Sequence, residues 1–503
     1  MNIKRAKQEI KDTIQAYLER DSYGAYRIPS IRQRPILLIG PPGVGKTQIM
    51  EQISQECQVG LVAYTITHHT RQSAIGLPYI KKERYGGQEY SVTEYTMSEI
   101  VAAVYEKIRL TDKEEGILFI DEINCVSETL APTMLQFLQK KSFGAHKIPE
   151  GWIIVAAGNP PEYNKSVKDF DLVTLDRIRK MDIEPDYQAW KEYALQANIH
   201  PAVCSYLDLR QQNFCRLETT VDGKRFATPR GWEDLSHLIQ IYERLNLPMD
   251  RELIQEYIQF PLIARDFANY LELYHKYQNH YQVGEILEGR VRPGLLERLE
   301  RSPFDERISV VSLLLSGLNQ QFRALWHREG VLELRMKKLK SLHGDGTFDG
   351  SPFAALESFS RMSGSFRAHW EKQQENGLLS PAELRKHQDV SLSLEQNLQL
   401  LEEENYSTAS QVWEKIQKLF EADSDSYELL AEKTGQQLEH AFDFMEAAFA
   451  NGQEMVLFVT NLNSGYFSLH FLQDYDCARY YQYNKNLLFS EEEQEIREKL
   501  NNL

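Results

Sequence analysis

The stretch Arg34-Pro35-Ile36-Leu37-Leu38-Ile39-Gly40-Pro41-Pro42-Gly43-Val44-Gly45-Lys46-Thr47-Gln48-Ile49-Met50-Glu51 decides the fold. It reads as strand, loop, helix. Ile36 to Ile39 form a short apolar run, as a buried parallel strand requires. Gly40, Pro41, Pro42, Gly43, Val44, Gly45, Lys46 and Thr47 match G-x-x-x-x-G-K-[ST]. The glycines let the backbone curl until successive N–H groups converge on phosphate oxygens. Lys46 is spaced to reach the β- and γ-phosphates, the Thr47 hydroxyl to ligate Mg²⁺, and the helix that follows aims its positive end at the same phosphates.

Outward from this loop, a second signal is Gly116-Ile117-Leu118-Phe119-Ile120-Asp121-Glu122. An apolar strand ends in two acids, at the edge where open α/β sheets bind ligands. Asp121 suits the Mg²⁺ and Glu122 the orientation of an attacking water. A third strand, Trp152 to Ala157, ends near Asn159, whose amide can bond both a γ-phosphate and that water. Arg177 follows in Leu175-Asp176-Arg177-Ile178-Arg179. It is not placed to reach its own nucleotide, but an exposed arginine at a domain edge can serve a neighbour's γ-phosphate; Arg179 competes for that role. In Thr228-Pro229-Arg230, Thr228 reads as an N-cap and Pro229 as the first helical residue, which leaves Arg230 in the first turn of a helix facing the phosphates.

The remainder sets the organisation. A chain of 503 residues exceeds one ordinary core, so several domains are expected. Residues 3 to 20 carry apolar positions on one helical face. Asp21 to Arg34 form a connector in which Tyr26 to Pro29 either cover an adenine or pack. Val59 to Ile66 read as a second strand. His68 to Pro78 interrupt the strand–helix alternation, and Tyr79 to Tyr95, with Gly86-Gly87 between extended arms, read as a hairpin. The adjacent His68 and His69 have no further ligands nearby and read as surface or packing residues. Helices are expected at Met97 to Ile108 and Val126 to Lys141, a hairpin tip around Phe143 to Gly151, and a last strand at Met181 to Ile183. Another hairpin is expected at Phe214 to Arg225. Beyond His275 the sequence is mostly helical, with periodic runs at Ile308–Phe322, Leu392–Glu403, Ala409–Phe420 and Leu438–Phe449 and a linker at Gly344 to Pro352. Met455 to Val459 and Tyr466 to Phe471 fit strand or buried helix equally. No catalytic constellation stands out in this half.

Composition excludes several classes. The longest near-apolar run, Ile308 to Leu318, is too short to span a bilayer. Met1 to Arg5 do not begin a signal peptide. Five cysteines without C-x-x-C spacing argue for a reduced, cytoplasmic setting and against a disulfide framework or zinc site. The formal net charge of −16 argues against wholesale nucleic-acid binding.

In this order the motifs resemble the AAA+ ATPases, and among them the MoxR branch, over roughly residues 1 to 270. Gly40 to Thr47 correspond to Walker A, Ile117 to Glu122 to Walker B, Asn159 to sensor 1, Arg177 to the arginine finger and Arg230 to sensor 2. The insertion ending Ile75-Gly76-Leu77-Pro78 resembles the helix-2 insert of this branch, and Phe143 to Trp152 its pre-sensor-1 hairpin. Cys125 stands where most members carry arginine, which suggests a distinct subgroup. The resemblance implies an αβα P-loop sandwich with a parallel sheet over residues 1–184 (insert about 66–95, hairpin about 142–152), a helical lid with sensor 2 over 185–274, and an additional mostly helical region over 275–503. It implies ATP and Mg²⁺ as ligands and a ring oligomer, a hexamer in the family. It also implies chaperone-like remodelling of a protein client, often with a von Willebrand factor A domain partner. Two other readings are a nucleic-acid motor, since helicase relatives share the hairpin and Lys140, Lys141, His146 and Lys147 lie near it, and a non-hydrolytic scaffold whose nucleotide only fixes the oligomer.

Overall fold

The computed structural model describes residues 1–68, 76–143, 146–163, 170, 172–220, 223–344, 350–375 and 378–485. Part of the expected insert (69–75, including His69), the hairpin tip Gly144-Ala145, Asp171 and most of the Gly344–Pro352 linker lie outside the described residues. The chain divides into two compact units, one of Met1–Ala189 with Thr228–Gly231, the other of Trp190–Ala227 with Trp232–Leu503.

The first unit is built on a five-stranded parallel sheet. Its strands are β1 (Ile36–Ile39), β2 (Gly60–Thr65), β5 (Gly116–Asp121), β8 (Trp152–Gly158) and β9 (Arg179–Asp182), in the order β2-β5-β8-β1-β9. β8 pairs with β1 on one side, Ile36 opposite Val155, and with β5 on the other, Gly116 opposite Trp152. Strands buried on both faces carry apolar residues at every position, and successive residues go to opposite faces. Leu37, Leu118, Ile120, Ile154 and Ala156 pack with the helices α3 (Glu99–Thr111) and α4 (Ala131–Lys140). Ile36, Leu38, Ile117, Phe119, Ile153 and Val155 pack on the other side with α1 (Ile3–Leu18) and α2 (Lys46–Glu56). The result is an αβα sandwich. Its central strands end side by side, so the residues after β1, β5 and β8 meet at one edge.

Two antiparallel hairpins decorate this unit. β3 (Pro78–Tyr85) and β4 (Gln88–Tyr95) pair around Gly86-Gly87, as their sequence predicts. β6 (Ser142–Phe143) pairs with β7 (His146–Lys147). The helix expected from Val126 starts only at Ala131. Before it, Glu122 takes a left-handed conformation (φ 58°), Ile123–Cys125 form a 3₁₀ turn, and the extended backbone of Val126 (ψ 151°) keeps that turn from running on into the helix. The last strand begins at Arg179, two residues before the expected start. Tyr26, one of the two readings for the connector, lies at the N-terminal edge of β5: its hydroxyl donates to Glu115 (2.9 Å), and the Arg20 guanidinium lies over its ring. Ligands bind at the opposite, carboxyl edge of such a sheet, so for Tyr26 the structure decides for packing.

The second unit is almost wholly helical. A small hairpin pairs β10 (Arg216–Thr220) with β11 (Gly223–Ala227). Tyr206, Trp232 and Phe267 contact one another edge-on or tilted in one aromatic core. Two helices of 41 residues, Phe304–Gly344 and Ala409–Phe449, each span about 60 Å at 1.5 Å per residue. Their packing partners define two further cores. One holds Leu314, Leu318, Phe322, Phe442 and Phe458; the other holds Leu339, Phe359, Trp370, Leu394 and Ile416. The periodic runs at Ala409–Phe420 and Leu438–Phe449, which the sequence separates, belong to one continuous helix. It is opened by a capping box between Thr408 and Gln411. The two ambiguous segments near the C-terminus are helices, Gln453–Ser464 and Tyr466–Asp474.

Candidate functional site

The phosphate loop follows β1. Gly43 and Gly45 both hold positive φ, +79° and +92°, a region that costs any side-chain-bearing residue. Lys46 then starts α2 with its side chain folded back over the loop. It is buried, and its Nζ donates to the carbonyls of Gly40 (2.6 Å) and Pro41 (2.8 Å) and to Asn159 Oδ1 (3.0 Å). Burial pulls its pKa down to about 8. The Arg230 charge adds to that, while Asp121 and Glu122 oppose it. The next residue, Thr47, donates its Oγ1 hydrogen to Asp121 Oδ2 at 2.9 Å. Residues that follow three separate strands thus meet around one point, as the strand order requires.

Glu122 follows Asp121 on the sharp turn at the end of β5. Its N–H is held by Asp121 Oδ1 (2.9 Å), and its carboxylate accepts from Thr67 Oγ1 (2.9 Å), just past β2. Arg230 stands in the first turn of the helix Pro229–Leu245, where Thr228 Oγ1 caps the Gly231 N–H at 3.2 Å. A Cβ on Gly43 would lie 3.1 Å from Arg230 Cβ, so this turn sits directly on the phosphate loop. Arg177 is exposed and donates to Gln139 Oε1 (2.6 Å). Arg179 is engaged elsewhere: it donates to Glu9 Oε2 (2.8 Å) and Thr13 Oγ1 (2.6 Å) on α1. The structure therefore brings Lys46, Thr47, Asp121, Glu122, Asn159 and Arg230 into one neighbourhood. It leaves Arg177 outside that neighbourhood, on the surface.

One residue of this site carries no signal of its own in the sequence. Asn124 is buried. Its Nδ2 donates to the Asn159 carbonyl at 2.8 Å, and its Oδ1 accepts the Asn159 N–H at 3.3 Å. A side-chain amide pairing with a residue's N–H and carbonyl together fixes that residue in position and in rotation. The approach is close enough that a Cβ on Gly158 would fall 2.4 Å from Asn124 Oδ1. In the sequence Asn124 reads only as a neighbour of the acidic pair. The bare Gly158 ahead of Asn159 is the one clue to a tight contact there.

A nucleotide fold with this loop, this acid pair and this amide has a recognisable counterpart. Residues 35–178 match the AAA domain, dynein-related subfamily. The match runs from the strand before the phosphate loop to the segment holding Arg177 and stops short of β9. No similar protein was found among curated proteins. Among solved structures, a Cytophaga hutchinsonii ATCC 33406 protein described as an inferred ATPase is 17% identical. The alignment covers 39% of this chain and 56% of that one, with a TM-score of 0.25. A single-residue variant of RuvB from Thermotoga maritima is 14% identical, over 52% of this chain and 69% of that one, with a TM-score of 0.27. Likeness at this level transfers no activity. The chain spans little more than half the length of the first of them.

The residues around the phosphate loop suit a magnesium nucleotide. Thr47 and Asp121 offer a hydroxyl and a carboxylate side by side, the hard oxygen donors that Mg²⁺ prefers. Among the described residues the buried Lys46 ammonium donates to neutral partners, two carbonyls and an amide, with no counter-anion in direct contact. A phosphate would supply one.

Proposed function

We propose that the chain is a MoxR-type AAA+ ATPase that couples ATP hydrolysis, in a ring of identical subunits, to the remodelling or activation of a partner protein. The observation that carries the hydrolytic part is the convergence at the sheet's carboxyl edge of two bonded pairs, Lys46 with Asn159 and Thr47 with Asp121. Binding alone would need only the loop. The acid after Asp121 and the amide of Asn159 add the means to act on water.

In this reading Lys46 exchanges its carbonyl partners for phosphate oxygens and neutralises their charge. Thr47 and Asp121 would hold Mg²⁺, which supplies charge neutralisation at the β- and γ-phosphates. Glu122 leaves Thr67, accepts a hydrogen bond from the attacking water and orients it in line with the γ-phosphate. Asn159 bonds the same water and the γ-phosphate. Arg230 adds positive charge from the lid helix. Arg177 serves the site of the next subunit, a role favoured by its exposure and by the engagement of Arg179 with Glu9 and Thr13. Residues 1–184 then act as the nucleotide core, 185–274 as the lid and 275–503 as the accessory region that contacts the client. The hairpin β3–β4 exposes Tyr79, Ile80, Tyr85 and Tyr90 and suits contact with a client. A cytoplasmic location fits five cysteines none of which forms a disulfide, and among the described residues no helix is long and apolar enough to cross a membrane.

The test is Glu122→Gln. ATP should bind as in the parent while turnover falls by about 10²-fold or more, the scale of a lost general base. Turnover unchanged by this substitution would sink the hydrolytic assignment. Subunits carrying Arg177→Ala mixed with subunits carrying Lys46→Ala should regain activity, since each supplies what the other lacks across one interface. Mixed rings with no recovery would remove the in-trans role.

A further inference from the structure

The second unit contains a cluster that nucleotide chemistry does not use. Glu329 and Glu333 lie four residues apart on the helix Phe304–Gly344, and His470 and Asp474 four apart on the helix Tyr466–Asp474. Residues at i and i+4 share a helix face. Here Glu329 and the His470–Asp474 face meet: His470 Nδ1 stands 3.6 Å from Glu329 Oε2. One donor atom each from Glu329, His470 and Asp474 lies within 4.8 Å of the others. These donors line a cleft of about 90 Å³ walled by Phe322, Trp326, Phe467 and Phe471.

The charge balance of the cleft is unusual. Among the described residues, Glu329, Glu333 and Asp474 form no ion pair with any lysine or arginine. Burial pushes the Glu329 carboxyl up, and the neighbouring Glu333 and Asp474 charges add to this, against the His470 imidazole. The Tyr427 hydroxyl, on the facing long helix, is raised by burial and then by the same three carboxylates. The site also lies at the carboxyl end of its short helix, where the dipole adds negative potential. Three acids and a helix terminus converge, with one imidazole as the basic group between them.

We propose that Glu329, His470 and Asp474 bind a divalent first-row transition-metal ion that ties the two helices together. One imidazole nitrogen with two carboxylate oxygens suits Zn²⁺, Co²⁺ or Mn²⁺ better than the all-oxygen preference of Ca²⁺ or Mg²⁺. Ligand bonds of about 2.0–2.2 Å put adjacent donors about 3–4 Å apart, so the donors need only a small contraction. The aromatic packing of Phe322 on Phe471 and Trp326 on Phe467 already fixes the two helices against each other. Little ordering remains to oppose binding. Glu333 is left outside the coordination set as a charge that favours the ion.

The experiment uses the full chain carrying Asp121→Asn, without nucleotide, so that the phosphate-site cation is removed. After treatment with chelator it is titrated with Zn²⁺ by calorimetry and with Co²⁺ by visible absorption. One ion per chain is expected, with ligand-field bands and no thiolate charge-transfer absorption. Affinity should fall by at least about tenfold in His470→Ala and again in Asp474→Asn. Asp474 is exposed, so its substitution leaves the fold intact even where His470→Ala does not; circular dichroism checks both. No binding, binding undiminished in Asp474→Asn, or a thiolate spectrum each overturns the proposal. ATP turnover is not the readout, so failure here is separate from failure of the ATPase assignment.

Discussion

Asn124→Ala removes both bonds that hold Asn159 by its backbone. Each contributes about 1 kcal/mol net, and an orphaned backbone N–H or C=O costs about 1–3 kcal/mol where water cannot reach it. Asn159 is half-buried, which puts the loss at the lower end, about 2–4 kcal/mol in all. The second effect is on catalysis. With its backbone released, the Asn159 side chain loses its fixed position against Lys46 Nζ, which the proposed mechanism requires. A shift of about 1 Å at such a place costs about 10²-fold in rate, equivalent to about 2.7 kcal/mol of barrier. The two effects are separable. Urea unfolding gives the stability term, and ATP turnover per folded chain, measured well below the unfolding temperature, gives the other. Asn124→Asp sharpens the test. Its one oxygen still accepts the Asn159 N–H, but the other meets the Asn159 carbonyl at the 2.8 Å now occupied by a donor. Aspartate should therefore be worse than alanine near neutral pH and recover as acid protonates it. A wild-type kcat in Asn124→Ala, with stability alone reduced, would refute the positioning argument.

Three more outcomes are expected. The Lys46 pKa, brought down to about 8 by burial, means that the free protein carries a mostly uncharged Lys46 above that pH; nucleotide affinity should decline as pH rises through about 8. Calorimetry in buffers of different ionisation enthalpy should detect proton uptake on binding on the alkaline side of that value and none well below it, and equal protonation on both sides would contradict the burial argument. In Gly435→Ala, the new Cβ would lie 2.1 Å from the Tyr475 ring, so the long C-terminal helix should lose about 1–3 kcal/mol by overpacking, read as a lower urea midpoint. Burial alone would raise Glu243, but bonds from His200 and His275 outweigh it and take the carboxylate down to about 2. A depressed carboxylate stabilises above its unfolded pKa and loses that stabilisation as pH falls towards 2. The margin of the parent over Glu243→Gln should thus be full above about pH 5 and shrink in acid; a margin independent of pH would show that the histidines do not act through the charge.

Sequence by itself determined the parts whose physics is local. The apolar run at Ile36 to Ile39, the glycines at 43 and 45, Lys46 and Thr47 specify a phosphate loop because each residue meets a backbone or charge requirement within a few positions. The same holds for the strand ending in Asp121-Glu122, the hairpin around Gly86-Gly87 and the cap at Thr228. Tertiary structure decided whatever depends on which strands lie side by side. Placing β8 between β1 and β5 puts Asn159 on Lys46 and makes Asn124 its clamp; neither contact has a spacing that a linear reading could detect. Glu122 illustrates the boundary between the two. Its acidity at a strand end is legible, but its left-handed conformation at the end of β5 is not. The same applies to Arg177 and Arg179, two identical side chains whose surroundings differ because α1 offers Glu9 and Thr13 to one while the other donates to Gln139 on the surface. In the helical half, periodicity located helices yet missed that two runs form one 41-residue rod. The two runs are linked by a polar stretch, which looks like a break in sequence but is helix with few buried residues in the structure. The meeting of Glu329 with His470 and Asp474, far apart along the chain, exists only because those helices pack.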